Sequence, residues 1–353
     1  MKKTAILMIN YKDYASRFLG DCVRSLRNQT YPFKLFIIDN SSTENSREYI
    51  KKIAPEAEII INEGEKINKG NNGYALGGNQ GMKTAIAQGF EYVAVSNMDT
   101  EFDKDWLKNL VETANENKKA GAIQTKIMIF EDKNKINSTG NKLHFLGFGY
   151  CENYGVKNFE TEEEKKINYA SGCSVLYKMD ILREIGMYDE NFFMYHEDSD
   201  ISWRIWQAGY EVILAPKSIT YHKYEFNRSM LQFYYMERNR FLTILTNYKL
   251  GTLFLIFPAF FIMELGLFGF SIKNKTWKTK LRVYWYFLNP IHWIKIYKDR
   301  VIKQSHRAIP DKKIVKNFTG KLDFQEVENP VLKYIANPFF NLYWTVAKQF
   351  IWW

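Results

Sequence analysis

The chain has 353 residues, 46% of them hydrophobic and 25% charged, a balance that supports a buried core and excludes a disordered or collagen-like chain. A net charge of +10 asks for an anionic partner: nucleic acid, acidic lipid or a phosphorylated substrate. The cysteines Cys22, Cys151 and Cys173 form neither a CxxC pair nor a zinc spacing, which points to reduced, structural thiols.

The first two thirds alternate between strand-like and helix-like segments. Ile6–Ile9 reads as a short buried strand, and the apolar run is too brief before Asn10 and Tyr11 for a secretory signal. Tyr14 to Leu26 has helical spacing, Leu35–Ile38 is a second strand, Ser46 to Ile53 a helix and Ile59–Ile61 a third strand. A Gly/Asn-rich loop follows over Asn71 to Gly81, then a helix from Met82 to Gln88 and a fourth strand over Tyr92–Ser96. Alternation of this kind predicts a parallel α/β sheet with ligands at the carboxyl ends of its strands. Asn10–Tyr11, Asp39–Asn40, Asn62 and Asn97–Met98–Asp99 occupy those ends.

Three constellations carry chemistry. Asp99 at a strand end suits Mg²⁺ or Mn²⁺, hard ions that take oxygen ligands; the alternative is a plain turn residue. The glycines of the Asn71–Gly81 loop allow close approach to a ligand, and Asn71 and Asn79 can donate and accept. His196–Glu197–Asp198–Ser199–Asp200 packs carboxylates densely enough to raise a pKa unless a metal or arginine compensates, which suits a general base; a solvated helix start is the alternative. His222 closes a further strand and becomes a metal ligand if it folds back beside Asp99.

After about residue 225 the character changes. Gly251 to Phe270 is almost wholly apolar, interrupted by Pro258 and Glu264, and lysines and Arg282 follow it. A spanning helix, an interfacial hairpin broken at Pro258 and a buried helix pair all fit; the hairpin fits best, because proline and glutamate are costly in lipid. Val283 to Ile302 and Tyr334 to Trp353 mix aromatic and cationic residues, as at a membrane interface.

The ordered series resembles the family 2 glycosyltransferases of GT-A fold, in particular their rhamnosyltransferase-like branch. Its members over Thr4 to Tyr224 are Asn10–Tyr11, Asp39–Asn40–Ser41–Ser42, the Asn71–Gly81 segment, Asn97–Met98–Asp99, Ala170–Ser171–Gly172–Cys173, Gly186 to Phe193, Glu197–Asp198 with Asp200 and Arg204, and His222. Asn97 stands where many relatives have Asp, and Met98 where Pro is usual.

The resemblance implies a Rossmann-like mixed sheet flanked by helices and a C-terminal helical, membrane-associating region. The catalytic domain would cover residues 1–225, with nucleotide-sugar binding over 1–100 and acceptor binding over 101–225, and the membrane-associating region 226–353. It implies an inverting, metal-dependent transferase that moves a sugar, rhamnose in that branch, from a nucleotide diphosphate to a hydroxyl of a glycan or polyprenyl-linked acceptor in cell-surface polysaccharide synthesis. Asp198 would be the base. Asn10, Tyr11, Asp39, Asn71, Gly73, Asn79 and Asn97 would bind the donor, and Asp99 and His222 a divalent metal, Mn²⁺ or Mg²⁺. Glu197, Trp203, Arg204 and Arg238 would touch acceptor or phosphate. The place implied is the cytoplasmic face of the membrane, held peripherally to anionic lipid, with no nucleic-acid partner. A nucleotidyltransferase on a similar fold would carry a basic Gly-rich loop after the first strand, where this chain has Asn10–Tyr11–Lys12–Asp13. An inactive relative that only binds nucleotide sugar or lipid would be expected to lack Asp198 or Asp99.

Overall fold

The computed structural model describes residues 3–62, 71–159, 163–223, 229–323 and 329–353. The domain boundary expected at 225–226 lies outside them. The chain divides into two compact units, one of Met1–Asn141, Cys151–Phe193 and Tyr210–Glu225, the other of Lys142–Tyr150, Met194–Gly209 and Phe226–Trp353.

The strands are β1 (Thr4–Lys12), β2 (Lys34–Ser42), β3 (Glu58–Ile61), β4 (Tyr92–Ser96), β5 (Thr100–Phe102), β6 (Ala120–Ile129), β7 (Ile136–Ser138), β8 (Asn141–Leu143), β9 (Gly149–Cys151), β10 (Lys165–Lys166), β11 (Ser174–Lys178) and β12 (Glu211–His222). The first unit holds the main sheet, in the order β10-β12-β6-β11-β4-β1-β2-β3. β4, β1, β2 and β3 run parallel, as the alternation predicts. β11 enters antiparallel between β4 and β6, which makes the sheet mixed.

Its helices are α1 (Tyr14–Arg27), α2 (Glu44–Ile53), α3 (Gly73–Ala87), α4 (Trp106–Glu116) and α5 (Met179–Ile185). Alternate strand residues Ile6, Met8, Leu35, Ile37 and Ala94 form one core with Leu19, Val23, Ile50 and Leu110 from α1, α2 and α4. α3 covers the other face.

Here the structure corrects the sequence reading. Asn71 to Gly81 is not a loop: α3 starts at Gly73 and runs through it. Its glycines serve packing. A Cβ on Gly81 would lie 2.8 Å from Ile38 and 3.0 Å from Leu7, and one on Gly78 2.9 Å from Tyr188. Removing those Cβ atoms lets the helix lie close on β1 and β2.

The second unit is helical: α6 (Glu197–Gln207), α7 (Met230–Asn247), α8 (Leu250–Lys273), α9 (Trp277–Leu288), α10 (Pro290–Ser305), α11 (Asp311–Ile314) and α12 (Asn337–Ala347). Trp203 sits edge-on between Tyr248 and Phe318, with ring centroids 4.7 and 4.9 Å away, and Phe145 stacks on Trp344 at 4.7 Å. α8 does not break at Pro258. The proline and Phe254, whose carbonyl loses its partner, both lie on the exposed side, so the lost hydrogen bond is not buried in the unit. α8 is long and apolar enough to cross a membrane. One stripe of it, Thr252, Ile256, Ala259, Met263, Glu264 and Ser271, is nevertheless buried in the unit. Glu264 pairs there with Arg240 and with Lys280 (2.8 Å), and accepts from the Tyr284 hydroxyl (2.9 Å). Glu237 pairs with the same two cations.

The packing role of the glycines separates two substitutions. Gly73 has φ +83°, and a Cβ there would lie 2.4 Å from the Phe193 carbonyl oxygen, so Gly73→Ala should cost about 2–4 kcal/mol in urea denaturation. Gly77→Ala meets only ordinary contacts at 3.5 Å and should gain up to about 1 kcal/mol. Equal effects would show that α3 is not seated as described.

Candidate functional site

The ends of β1 and β2 are held by their own polar side chains. The Asn10 carboxamide donates to Ser42 Oγ (2.6 Å), Ser46 Oγ (3.1 Å) and the Lys12 carbonyl (3.2 Å), and accepts from the Ala15 amide (2.7 Å). Asp39 is buried, accepting from the Ser42 amide (2.8 Å) and from Arg47 Nε. Asn10 and Asp39 thus shape this end of the sheet, while Tyr11 is exposed. Beside them runs an asparagine ladder. Asn40 donates to Asn71 Oδ1 (3.2 Å) and the Gly73 carbonyl (3.1 Å), and accepts from Asn62 (3.1 Å) and the Asn72 amide (3.2 Å). Asn79 is turned elsewhere: it brackets the Tyr188 backbone through both its atoms (2.9 Å each) and donates to Glu190 (3.0 Å).

Asp99 and His222 do come together. β12 runs antiparallel to β5, with His222 opposite Thr100, and this register sets the imidazole beside the residue before Thr100. Asp99 Oδ1 lies 3.4 Å from His222 Nε2, and the oxygen is buried with no hydrogen-bond partner. Burial works against a charge on His222, but Cys173 and Asp99 more than offset it and hold the imidazole well above its ordinary pKa. Burial and then the Asp99 carboxylate push the Tyr14 hydroxyl up. Tyr74 donates to Asn97 Oδ1 (3.4 Å) and the Gly172 carbonyl (3.3 Å). Tyr14, Tyr74 and Cys173 are further residues of this neighbourhood; Tyr74 and Cys173 lie in segments the sequence singles out as motifs, while Tyr14 gives no signal beyond following the end of β1. Among the described residues no three His, Cys, Asp or Glu side chains form a metal cluster. Asp99 with its buried oxygen and His222 fit a divalent ion as a two-ligand platform that needs further ligands from a bound diphosphate or water.

The second unit carries the acidic segment. Phe193, Tyr195 and His196 have φ of 62°, 66° and 68°, each costing about 1–3 kcal/mol in a non-glycine residue. This turn delivers the chain into α6, whose first turn holds Glu197, Asp198 and Asp200. Asp200 is fully buried and met by Arg204 Nε (2.9 Å), Lys303 Nζ (2.7 Å) and Asn247 Nδ2 (2.7 Å). Arg204 therefore neutralises a buried carboxylate, and Trp203 is core. Glu197 is buried, and its pKa rises to about 8, first from desolvation and then from the negative charge of Asp198. Asp198 is half-buried and caps the Ser199 amide (2.7 Å). Arg238 is buried, its guanidinium over Tyr235 (4.8 Å) and Tyr286 (5.2 Å).

The sequence profile of Glycosyl transferase family 2 matches residues 5–186. The chain is 27% identical over 205 residues to poly-beta-1,6-N-acetyl-D-glucosamine synthase of Staphylococcus epidermidis, covering 58% of this chain and 46% of that protein. The chain thus spans less than half the length of that relative. It is 22% identical over 216 residues to N-acetylglucosaminyl-diphospho-decaprenol L-rhamnosyltransferase of Mycobacterium tuberculosis, covering 54% of this chain and 67% of that protein. The crystal structure of GalNAc-T7 with UDP, GalNAc and Mn²⁺ superposes with a TM-score of 0.58 at 14% identity, over 88% of this chain and 59% of that one. The mixed sheet with flanking helices is that of the GT-A fold.

The raised pKa of Glu197 has a measurable consequence. The folded chain keeps this proton up to about pH 8, whereas the unfolded chain releases it in the usual carboxylate range, so folding takes up a proton in between. The stabilisation is complete below the unfolded value and fades as pH rises through the folded one. Between about pH 5 and 8 the wild type should lose stability relative to Glu197→Gln by up to about 1 kcal/mol per pH unit. Parallel denaturation curves at three pH values would show that Glu197 ionises normally.

Proposed function

The chain belongs to glycosyl transferase family 2, and on that premise we propose that it is an inverting transferase. It moves a sugar from a nucleotide diphosphate to a hydroxyl of a glycan or polyprenyl-linked glycan in cell-surface polysaccharide synthesis. The observation that carries this reading is the pair Glu197–Asp198 at the start of α6: Glu197 is buried, and the half-buried Asp198 beside it is the carboxyl left open to a substrate hydroxyl. Asp198 takes the proton of the attacking hydroxyl, a poor nucleophile at neutral pH without such a base. A single base in a direct displacement inverts the anomeric centre.

The first unit is the donor side. Asp39, Tyr11, Asn71 and Gly73 cradle the nucleoside and sugar; Asn10 holds the strand end beside them, Asn97 accepts from Tyr74, and Asn79 fixes the Tyr188 backbone. Asp99 and His222 would hold Mn²⁺ or Mg²⁺, which supplies Lewis-acid stabilisation to the departing diphosphate. Rhamnose is the sugar favoured by the resemblance and by the mycobacterial relative. A Mn²⁺-bound neighbour supports the metal.

Residues 226–353 make the membrane-associating region. The second unit has more than twice as many Lys and Arg as Asp and Glu, and the rest of the chain is slightly acidic, so the net charge of +10 resides there. The same unit exposes Phe254 (81%), Phe257, Phe261, Leu265, Trp285 (74%) and Leu288. Because Glu264 is tied to Arg240 and Lys280 on the protein side, α8 lies in the plane of an anionic cytoplasmic leaflet rather than across it.

Two tests follow. In a panel of nucleotide sugars with Mn²⁺ or Mg²⁺ and a polyprenyl-linked acceptor, Asp198→Asn should lower nucleoside diphosphate release by at least about 100-fold, and EDTA should abolish it. Full turnover by Asp198→Asn would remove the base, and activity in EDTA the metal. Phe254→Asp with Phe261→Asp should release the protein from phosphatidylglycerol vesicles in sedimentation; unchanged binding would refute the in-plane surface.

A further inference from the structure

We propose that Asn239 is a positioning residue: its buried carboxamide clamps the left-handed turn Tyr195–His196 and thereby fixes the start of α6, on which Asp198 stands. The proposal rests on the reading of Asp198 as the base.

The geometry is closed on every side. Asn239 Nδ2 donates to the carbonyls of both Met194 and Tyr195, at 2.8 Å each. Its Oδ1 accepts from Arg238 Nε (2.9 Å) and Nη2 (2.7 Å). Both amide hydrogens and both acceptor sites are used, so a flipped amide would set oxygen against two carbonyls and nitrogen against a guanidinium. The side chain is fully buried, and no water competes for these bonds. Arg238 is itself steadied over the rings of Tyr235 and Tyr286.

The chemistry explains why a carboxamide stands here. Two neighbouring carbonyls turned to one side need two N–H donors from one point, and a carboxylate or hydroxyl cannot supply both. Left-handed backbone at Tyr195 and His196 is unfavourable by itself and persists only where its surroundings hold it. The body of α6 is anchored separately, through Asp200 to Arg204, Lys303 and Asn247. Loss of the clamp should therefore loosen the entry to α6 and leave the helix in place. Asp198, the second residue of that helix, would then keep its chemistry and lose its aim.

Asn239→Asp keeps the size and the acceptor for Arg238 but removes both donors. It should raise amide hydrogen exchange across residues 194–199 at least tenfold, with α7 and α8 unchanged. With the donor and acceptor that the panel identifies, kcat should fall at least tenfold, while the affinity for the nucleoside diphosphate of that donor, measured with Mn²⁺, stays within twofold. If Asn239→Asp does not fold, Asn239→Ser is read on the same scale. Unaltered exchange across the turn overturns the proposal. So does kcat within twofold of wild type, or a loss of kcat and nucleoside diphosphate affinity together that matches the core control Leu242→Ala. Asp198→Asn measured alongside separates the two readings. If it keeps turnover, the base assignment has failed; if it is inactive while Asn239→Asp is fully active, only the clamp has.

Discussion

A carboxylate removed from water must be neutralised, paired or left its proton, and α6 begins with three carboxyls in four residues. Each is treated differently. Asp200 is buried completely and compensated by two cations and an amide. Glu197 is buried without such a partner and keeps its proton. Asp198 stays half-open at the helix start, where the unsatisfied amides of the first turn favour negative charge. The placement of Arg204, Lys303 and Asn247 follows from this division, as does the strained turn that feeds the helix. Density of acid in the sequence thus resolves into one paired structural group, one buried carboxyl raised by desolvation and one half-open carboxyl.

The first unit obeys a second constraint, that ligands gather where parallel strands end. Asparagines close those ends by bonding to one another and to backbone, which leaves few polar groups to be satisfied by a ligand. Asp99 differs: one oxygen is buried without a hydrogen-bond partner and faces an imidazole 3.4 Å away. The antiparallel return of β12 past β5 creates that pair.

Much of this was legible in the sequence because it is periodic. The strands from Ile6, Leu35, Ile59 and Tyr92 and the helices from Tyr14 and Ser46 follow their hydrophobic spacing, and the structure keeps or extends them by a few residues. What failed was local chemistry overridden by packing. Glycine at Gly73, Gly77, Gly78 and Gly81 looked like loop, since a helix rarely tolerates so many; close packing against Phe193 at Gly73, Tyr188 at Gly78 and the sheet at Gly81 reverses the preference at those three. Pro258 looked like a break, yet it faces outward and α8 continues. His222 could be tied to Asp99 only on the condition of a strand pairing that no single sequence displays. Asn239 gave no signal at all, because a buried amide is chosen by the two carbonyls it must meet, and those lie 44 and 45 residues away.

The central claim is a direct displacement driven by one base. NMR of the purified product, read for the one-bond C1–H1 coupling of the transferred sugar against that of its donor, tests it most directly. Inversion of the anomeric configuration is the predicted result. Retention would mean a double displacement or attack on the face the diphosphate leaves, and would contradict the assignment of Asp198 as the base of a direct back-side displacement.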